Sequence, residues 1–151
     1  MTSWERFKRM YEHREADRIP IIDEPWSGTL RRWRREGMPE GMDWCDYFDV
    51  DKLGIINIDI SPRMTLEGDR IPWEMLRQNY DKWRAEGRWI RAVFWFGFDV
   101  THSWMMGTEN TLIAMMEEPE LVEDMFDTYL SRCETLFSRI WDAGYHFDEI
   151  F

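Results

Sequence analysis

Asp59 stands between Ile58 and Ile60 and just ahead of Ser61-Pro62-Arg63, so a carboxylate interrupts the end of an apolar run. A carboxylate near the carboxyl end of a strand stands where parallel α/β folds keep their functional groups. It can equally cap the turn begun by Ser61-Pro62, or pair with Arg63, and all of these readings stay open. Arg63 offers a planar fork for a ligand carboxylate, or a salt bridge to Asp59 or Glu67. Trp26, just beyond the acidic pair Asp23-Glu24, could stack on a flat ligand or simply lid an opening beneath it. His102 is one of three isolated histidines; it could shuttle protons near neutral pH or stand solvated in a loop. Asp59 is thus the candidate catalytic residue, with Trp26, Arg63 and His102 as candidate substrate contacts.

Other chemistries find less support. Cys45 and Cys133 are the only cysteines, and neither belongs to a Cys-x-x-Cys or Cys-x-His pair, so neither a disulfide framework nor a metal site is expected within this chain. Thirty acidic residues against 19 basic ones give a net charge of −11, which disfavours nucleic acid and anionic membrane as partners. The one basic cluster, Arg31-Arg32 with Arg34-Arg35, is flanked by Glu36 and Glu40 and reads as a solvated helix face, with anion binding as the second reading. No apolar run approaches the roughly 20 residues of a membrane span. The charged stretch from Met1 to Arg18 lacks the apolar core of a signal peptide, so a cytoplasmic location is expected. Ten tryptophans and eleven methionines fit a large core with Met as filler, or a wide aromatic pocket for a flat ligand.

Positioning these residues requires a series of alternating elements. Ser3 is a plausible cap for a short helix with Trp4, Phe7 and Tyr11 on one face. Arg18 to Asp23 reads as a first buried strand, with Pro20 near its start. Ser27 can cap a second helix that Gly37 ends, and Asp43 a further turn through Phe48. Gly54 to Ile60 is a second strand, Pro72 to Glu86 a helix closed by Gly87, and Ile90 to Phe98 a third strand. That third strand is almost wholly apolar, as a strand covered on both faces would be. Gly107 to Trp141 reads as a loop and then a long helix, with Pro119 at its first position beside Glu118 and Glu120. Gly144 stops that helix, and a fourth strand opens at Phe147.

Strands alternating with helices imply a parallel α/β sheet. Four strands are about half of a (β/α)8 TIM barrel of roughly 250 residues. The expectation is therefore a single partial barrel domain over residues 1–151, the front portion of a longer protein, with a homodimer as the other way to cover an open strand edge.

Four segments carry a resemblance. Glu15-Ala16-Asp17-Arg18-Ile19-Pro20-Ile21, Trp33-Arg34-Arg35-Glu36-Gly37-Met38-Pro39, Ile58-Asp59-Ile60-Ser61-Pro62-Arg63, and the Gly107–Asp127 block around Glu117-Glu118-Pro119-Glu120-Leu121-Val122 follow one another in order. Together they resemble the uroporphyrinogen decarboxylase superfamily, which includes cobalamin-dependent methyltransferases built on the same barrel. The resemblance implies a (β/α)8 fold and places Asp59 where the decarboxylase keeps its catalytic aspartate. In that chemistry no cofactor is needed; the methyltransferases instead use zinc, held by a His-x-Cys pair and a later Cys in the C-terminal half, and a corrinoid partner.

Two departures guide the choice between branches. The decarboxylase carries an arginine-rich loop after its first strand that holds substrate carboxylates, whereas this chain has Asp23-Glu24-Pro25-Trp26 there. An acidic pair facing a polycarboxylate costs on the order of a kcal/mol or more per close contact in a partly buried site. The segment between Arg63 and Trp89 is also shorter than in the family. The expectation is the methyltransferase-like branch, with zinc and a corrinoid belonging to the full-length protein and none held by this chain. Tetrapyrrole decarboxylation, and a non-catalytic half-barrel that binds a small molecule or tetrapyrrole, remain as alternatives.

Overall fold

Helix α1 (Ser3–Tyr11) begins at Thr2 with a reciprocal cap. The Thr2 hydroxyl accepts the Glu5 N–H at 3.2 Å, and the Glu5 carboxylate accepts the Thr2 N–H at 2.7 Å. Two of the donors that a helix start leaves unsatisfied are thereby paired. Ser3, expected as the cap, is instead the first helical residue, and its hydroxyl accepts the Lys52 N–H at 3.0 Å. A computed structural model describes residues 1–58 and 71–151. Two compact units divide the chain, one formed by Met1–Gly54 with Asp81–Trp89, the other by Ile55–Tyr80 with Ile90–Phe151.

In the first unit, helices α2 (Ser27–Arg35) and α3 (Trp44–Phe48) follow α1. Asp43 caps α3 as expected, accepting the Cys45 N–H at 2.9 Å. Trp26, not Ser27, occupies the N-cap of α2 and makes no side-chain capping bond. Aromatic faces supply much of the packing. Phe7 and Tyr11, one helical turn apart, stack on Trp89 at 5.3 and 5.5 Å, and Trp33 meets the ring of Phe48 edge-on at 4.6 Å.

Residues 18–23 are not a strand, which corrects the first-strand expectation. Pro20 has no N–H to give a ladder. The N–H of Ile21 is taken by the Asp51 carboxylate at 2.9 Å, and its carbonyl by the Asp51 N–H at 2.8 Å. Ile19 and Ile21 remain exposed. Asp51, its side chain fully buried, also takes an ion pair from Arg6 at 2.8 Å and one from Arg18. Burial pushes its carboxyl up, but the Ile21 amide, Arg6, Arg18 and Ser3 outweigh that and hold it below the usual range. The segment read as strand is therefore bound to the unit through one buried acid.

Strands β1 (Leu53–Ile58), β2 (Trp89–Phe94) and β3 (Glu149–Ile150) form a parallel sheet in the order β1-β2-β3. Arg91 is paired in register with Glu149, and Ala92 with Ile150. Chain order and spatial order coincide, as expected for consecutive β/α units. Helix α4 (Trp73–Ala85) lies between β1 and β2 in the chain, close to the range expected for it. Between β2 and β3 come a short turn of helix α5 (Phe98–Val100), a π-helical turn over Thr101–Met105, and helices α6 (Thr108–Glu117) and α7 (Pro119–Asp142). α7 starts with Pro119 as expected, and its buried residues Val122, Tyr129, Cys133 and Ile140 recur at helical spacing. Ile56, Ile58, Leu76, Ile90, Val100 and Ile140 are completely buried.

Two expectations need correction here. The strand expected to run to Phe98 stops at Phe94, because Gly97 at φ 65° turns the chain out of the extended conformation. Residues 108–117 are helix rather than loop. Among the described residues, no helix is long and apolar enough to cross a membrane.

Candidate functional site

The carboxyl end of a parallel strand is where α/β folds place their ligands. At the end of β2 the chain runs through Trp95 and Phe96 to Gly97, then directly into α5 and the π-helical turn. Thr101 fixes this geometry. It is completely buried, and its N–H and its hydroxyl both donate to the Gly97 carbonyl, at 3.2 and 3.0 Å. Its own carbonyl accepts the N–H of Met106 at 3.0 Å, the five-residue spacing of a π turn. Such turns widen a helix locally and recur at functional sites. Gly107, at φ 82°, reverses the chain into α6, where Thr111 repeats the device: its hydroxyl donates to the Gly107 carbonyl at 2.8 Å. Asn110 braces the turn by donating to the Met106 carbonyl at 2.9 Å.

His102 is the centre of this turn. Its ring stacks on Phe98 at 4.7 Å. Nδ1 lies 3.2 Å from the Thr108 hydroxyl, while Nε2 lies 3.4 Å from Asp99 Oδ1 and 3.1 Å from the Ser103 hydroxyl. The neutral ring carries one N–H and one bare nitrogen. A carboxylate can only accept, so Asp99 selects the tautomer protonated at Nε2, and the bare Nδ1 accepts from Thr108. Ser103 then faces an N–H rather than a base. The arrangement is unlike a nucleophilic triad, in which acid and hydroxyl occupy opposite nitrogens. What it can do is hold an imidazole in one orientation, with one quarter of the side chain open to solvent and an N–H presented at Nε2.

The other sequence candidates fall differently. Trp26 projects from the start of α2 with 84% of its surface exposed, directly after the exposed Asp23 and Glu24. Glu24 donates its N–H to the Asp23 carboxylate at 2.8 Å, which curls the acidic loop on itself. Asp59 and Arg63 lie outside the described residues. Trp26 belongs to the first unit and His102 to the second. Sequence reading found His102 but not Ser103 or Thr108. Thr108 reaches the ring only through the Gly107 reversal, which no local pattern announces.

Among the described residues, no three His, Cys, Asp or Glu side chains are grouped to hold an ion. Burial pushes the Cys45 and Cys133 thiols up to about 11, so neither stands as a reactive thiolate near neutral pH.

Compared with protein-family models, curated proteins and solved structures, the chain matches none.

Proposed function

We propose that this chain forms the opening β/α units of a (β/α)8 enzyme of the uroporphyrinogen decarboxylase superfamily, in the branch that transfers a methyl group to or from a corrinoid. The observation that supports it most is the sheet, whose parallel strands follow chain order without a reversal. The four segments that resemble the family lie along the chain in the same sequence as these units. In this reading the chain supplies substrate contacts, while zinc and a corrinoid belong to the full-length protein.

The acidic loop favours the methyl-transfer branch. Exposed Asp23 and Glu24 precede exposed Trp26, so the first loop offers negative charge and an aromatic face. A corrinoid carries neutral amide side chains around its ring, which such a loop tolerates. A porphyrinogen carries several carboxylates, which it repels.

The test is isothermal titration of the chain with methylcobalamin and, separately, with uroporphyrin I. Saturable heat with methylcobalamin and none with uroporphyrin is expected. The reverse pattern would transfer the chain to the decarboxylase branch, where Asp59 is the candidate catalytic carboxylate. No heat with either would remove the tetrapyrrole reading.

A further inference from the structure

A second site, separate from the His102 turn, is an open groove of about 530 Å³ between α7 and the carboxyl ends of β2 and β3. Its sheet wall is Phe94, the last residue of β2, with Phe96 two residues beyond it and Ile150, the last residue of β3. Its helix wall is Leu130 and Phe137, seven residues apart and so on one face of α7. We propose that this groove binds a small apolar molecule bearing one positive charge.

Three observations carry the assignment. First, the walls are apolar yet open: Phe96, Leu130 and Ile150 are 49%, 44% and 55% exposed. Covering them gains roughly 25 cal/mol per Å² removed from water. Second, the floor is preformed. Phe137 is held edge-on against Phe147 at 5.2 Å and stacked on Trp141 at 5.6 Å, so a ligand need not order it. Third, among the described residues the groove has a single charged group, Glu134, four residues after Leu130 on the same helix face. No ion pair or hydrogen bond engages the Glu134 carboxylate among the described residues, so it is available to an incoming cation. Ser138, one turn further on, adds a hydroxyl acceptor beside it. Cys133 in the wall is a neutral thiol, since burial pushes it up to about 11, and it brings no competing charge. The volume lies within the range of small-molecule sites, about 300–1,000 Å³. This assignment is independent of methyl transfer.

The experiment compares three probes with one ring system, 2-naphthylmethylammonium, 2-naphthylmethanol and 2-naphthoate, by isothermal titration at fixed ionic strength. The ammonium probe is expected to bind roughly 3- to 5-fold more tightly than the alcohol, the range of one partly exposed charge pair, and the carboxylate probe most weakly. Glu134→Gln is expected to abolish the ammonium preference while leaving the alcohol unchanged. Leu130→Gln, at an exposed position that folding tolerates, is expected to weaken all three. Equal binding of the three probes would overturn the proposal. So would a preference that survives Glu134→Gln, since the overall charge of −11 would then be its source. Absence of binding together with a dimer that Leu130→Gln dissolves, seen by sedimentation, would give the groove to a second copy of the chain and overturn it as well.

Discussion

Arg91 and Glu149 face each other across the β2–β3 ladder, both as register partners and as an ion pair at 3.0 Å. Phe94 and Ile150 share the groove against α7, so strand alternation puts Arg91 and Glu149 on the opposite face of the sheet. Their side chains are only 10% and 16% exposed, and the Arg91 guanidinium lies 5.2 Å over the Phe151 ring. β3 has just two ladder residues, and one of them supplies this pair. Removing one partner of a buried pair leaves a desolvated charge, at a cost of about 3–5 kcal/mol. Glu149→Ala is expected to destabilise the protein by that order in urea denaturation. Arg91→Met with Glu149→Leu is expected to recover most of the loss, because apolar replacement of the whole pair is often neutral. Equal losses in the single and double variants would contradict this account.

Asp51 sets the acid limit of the first unit. Its carboxyl is held below the usual range by the Ile21 amide, Arg6, Arg18 and Ser3, against the upward push of burial. Asp17 is also lowered, by its bond from Arg6 and then by the N-terminal amine. A depressed folded pKa contributes stability that is complete above the unfolded value, about 3.9, and disappears as pH falls through the folded value. Thermal denaturation from pH 7 downward should therefore show stability falling below about pH 4. Asp51→Asn should lower stability at pH 7 by about 3–5 kcal/mol and flatten the acid dependence. An acid profile unchanged in that variant would show that other groups control it.

How much of this could be read from the residues depends on whether local chemistry or distant partners decide an element. Pro119, the cap at Asp43 and the apolar stripe of α7 obey rules that act within a few residues, and α7 emerged nearly at its true bounds. Residues 18–23 have the composition of a strand. Their backbone partner, Asp51, lies some 30 residues away, so composition could not show that a carboxylate would replace the ladder. The α5 and π turn were missed because Trp95, Phe96 and Phe98 prolong an apolar run past Gly97. His102 was visible as a candidate, but its orientation comes from Thr108 across a chain reversal.

Gly54 is required by a neighbour rather than by its own conformation. A Cβ built there would lie 2.6 Å from Trp83 Cε3 and 2.8 Å from Cδ2. Those atoms belong to the rigid indole, so backbone or ring must shift. Gly54→Ala is expected to cost about 1–3 kcal/mol as overpacking, and Gly54→Ala with Trp83→Leu to restore most of it. A stability gain in Gly54→Ala would show that the ring moves freely.

The tautomer of His102 can be read directly from ring ¹⁵N shifts, with His102→Gln identifying the signal. Near pH 8 the proton is expected on Nε2, facing Asp99. Asp99→Asn should erode that preference, because an amide can donate as well as accept. A proton found on Nδ1 in the unaltered protein would contradict the arrangement with Thr108.

The most direct test of the proposed function is the selectivity of the acidic loop. The affinities of methylcobalamin and uroporphyrin I should be measured for the unaltered chain and for Asp23→Arg with Glu24→Arg. The corrinoid should be favoured by the unaltered chain, and the paired substitution should shift the ratio at least about tenfold toward the porphyrin, the effect of roughly 1.4 kcal/mol. A ratio that already favours the porphyrin, or one that the substitution leaves unmoved, would contradict the methyl-transfer reading.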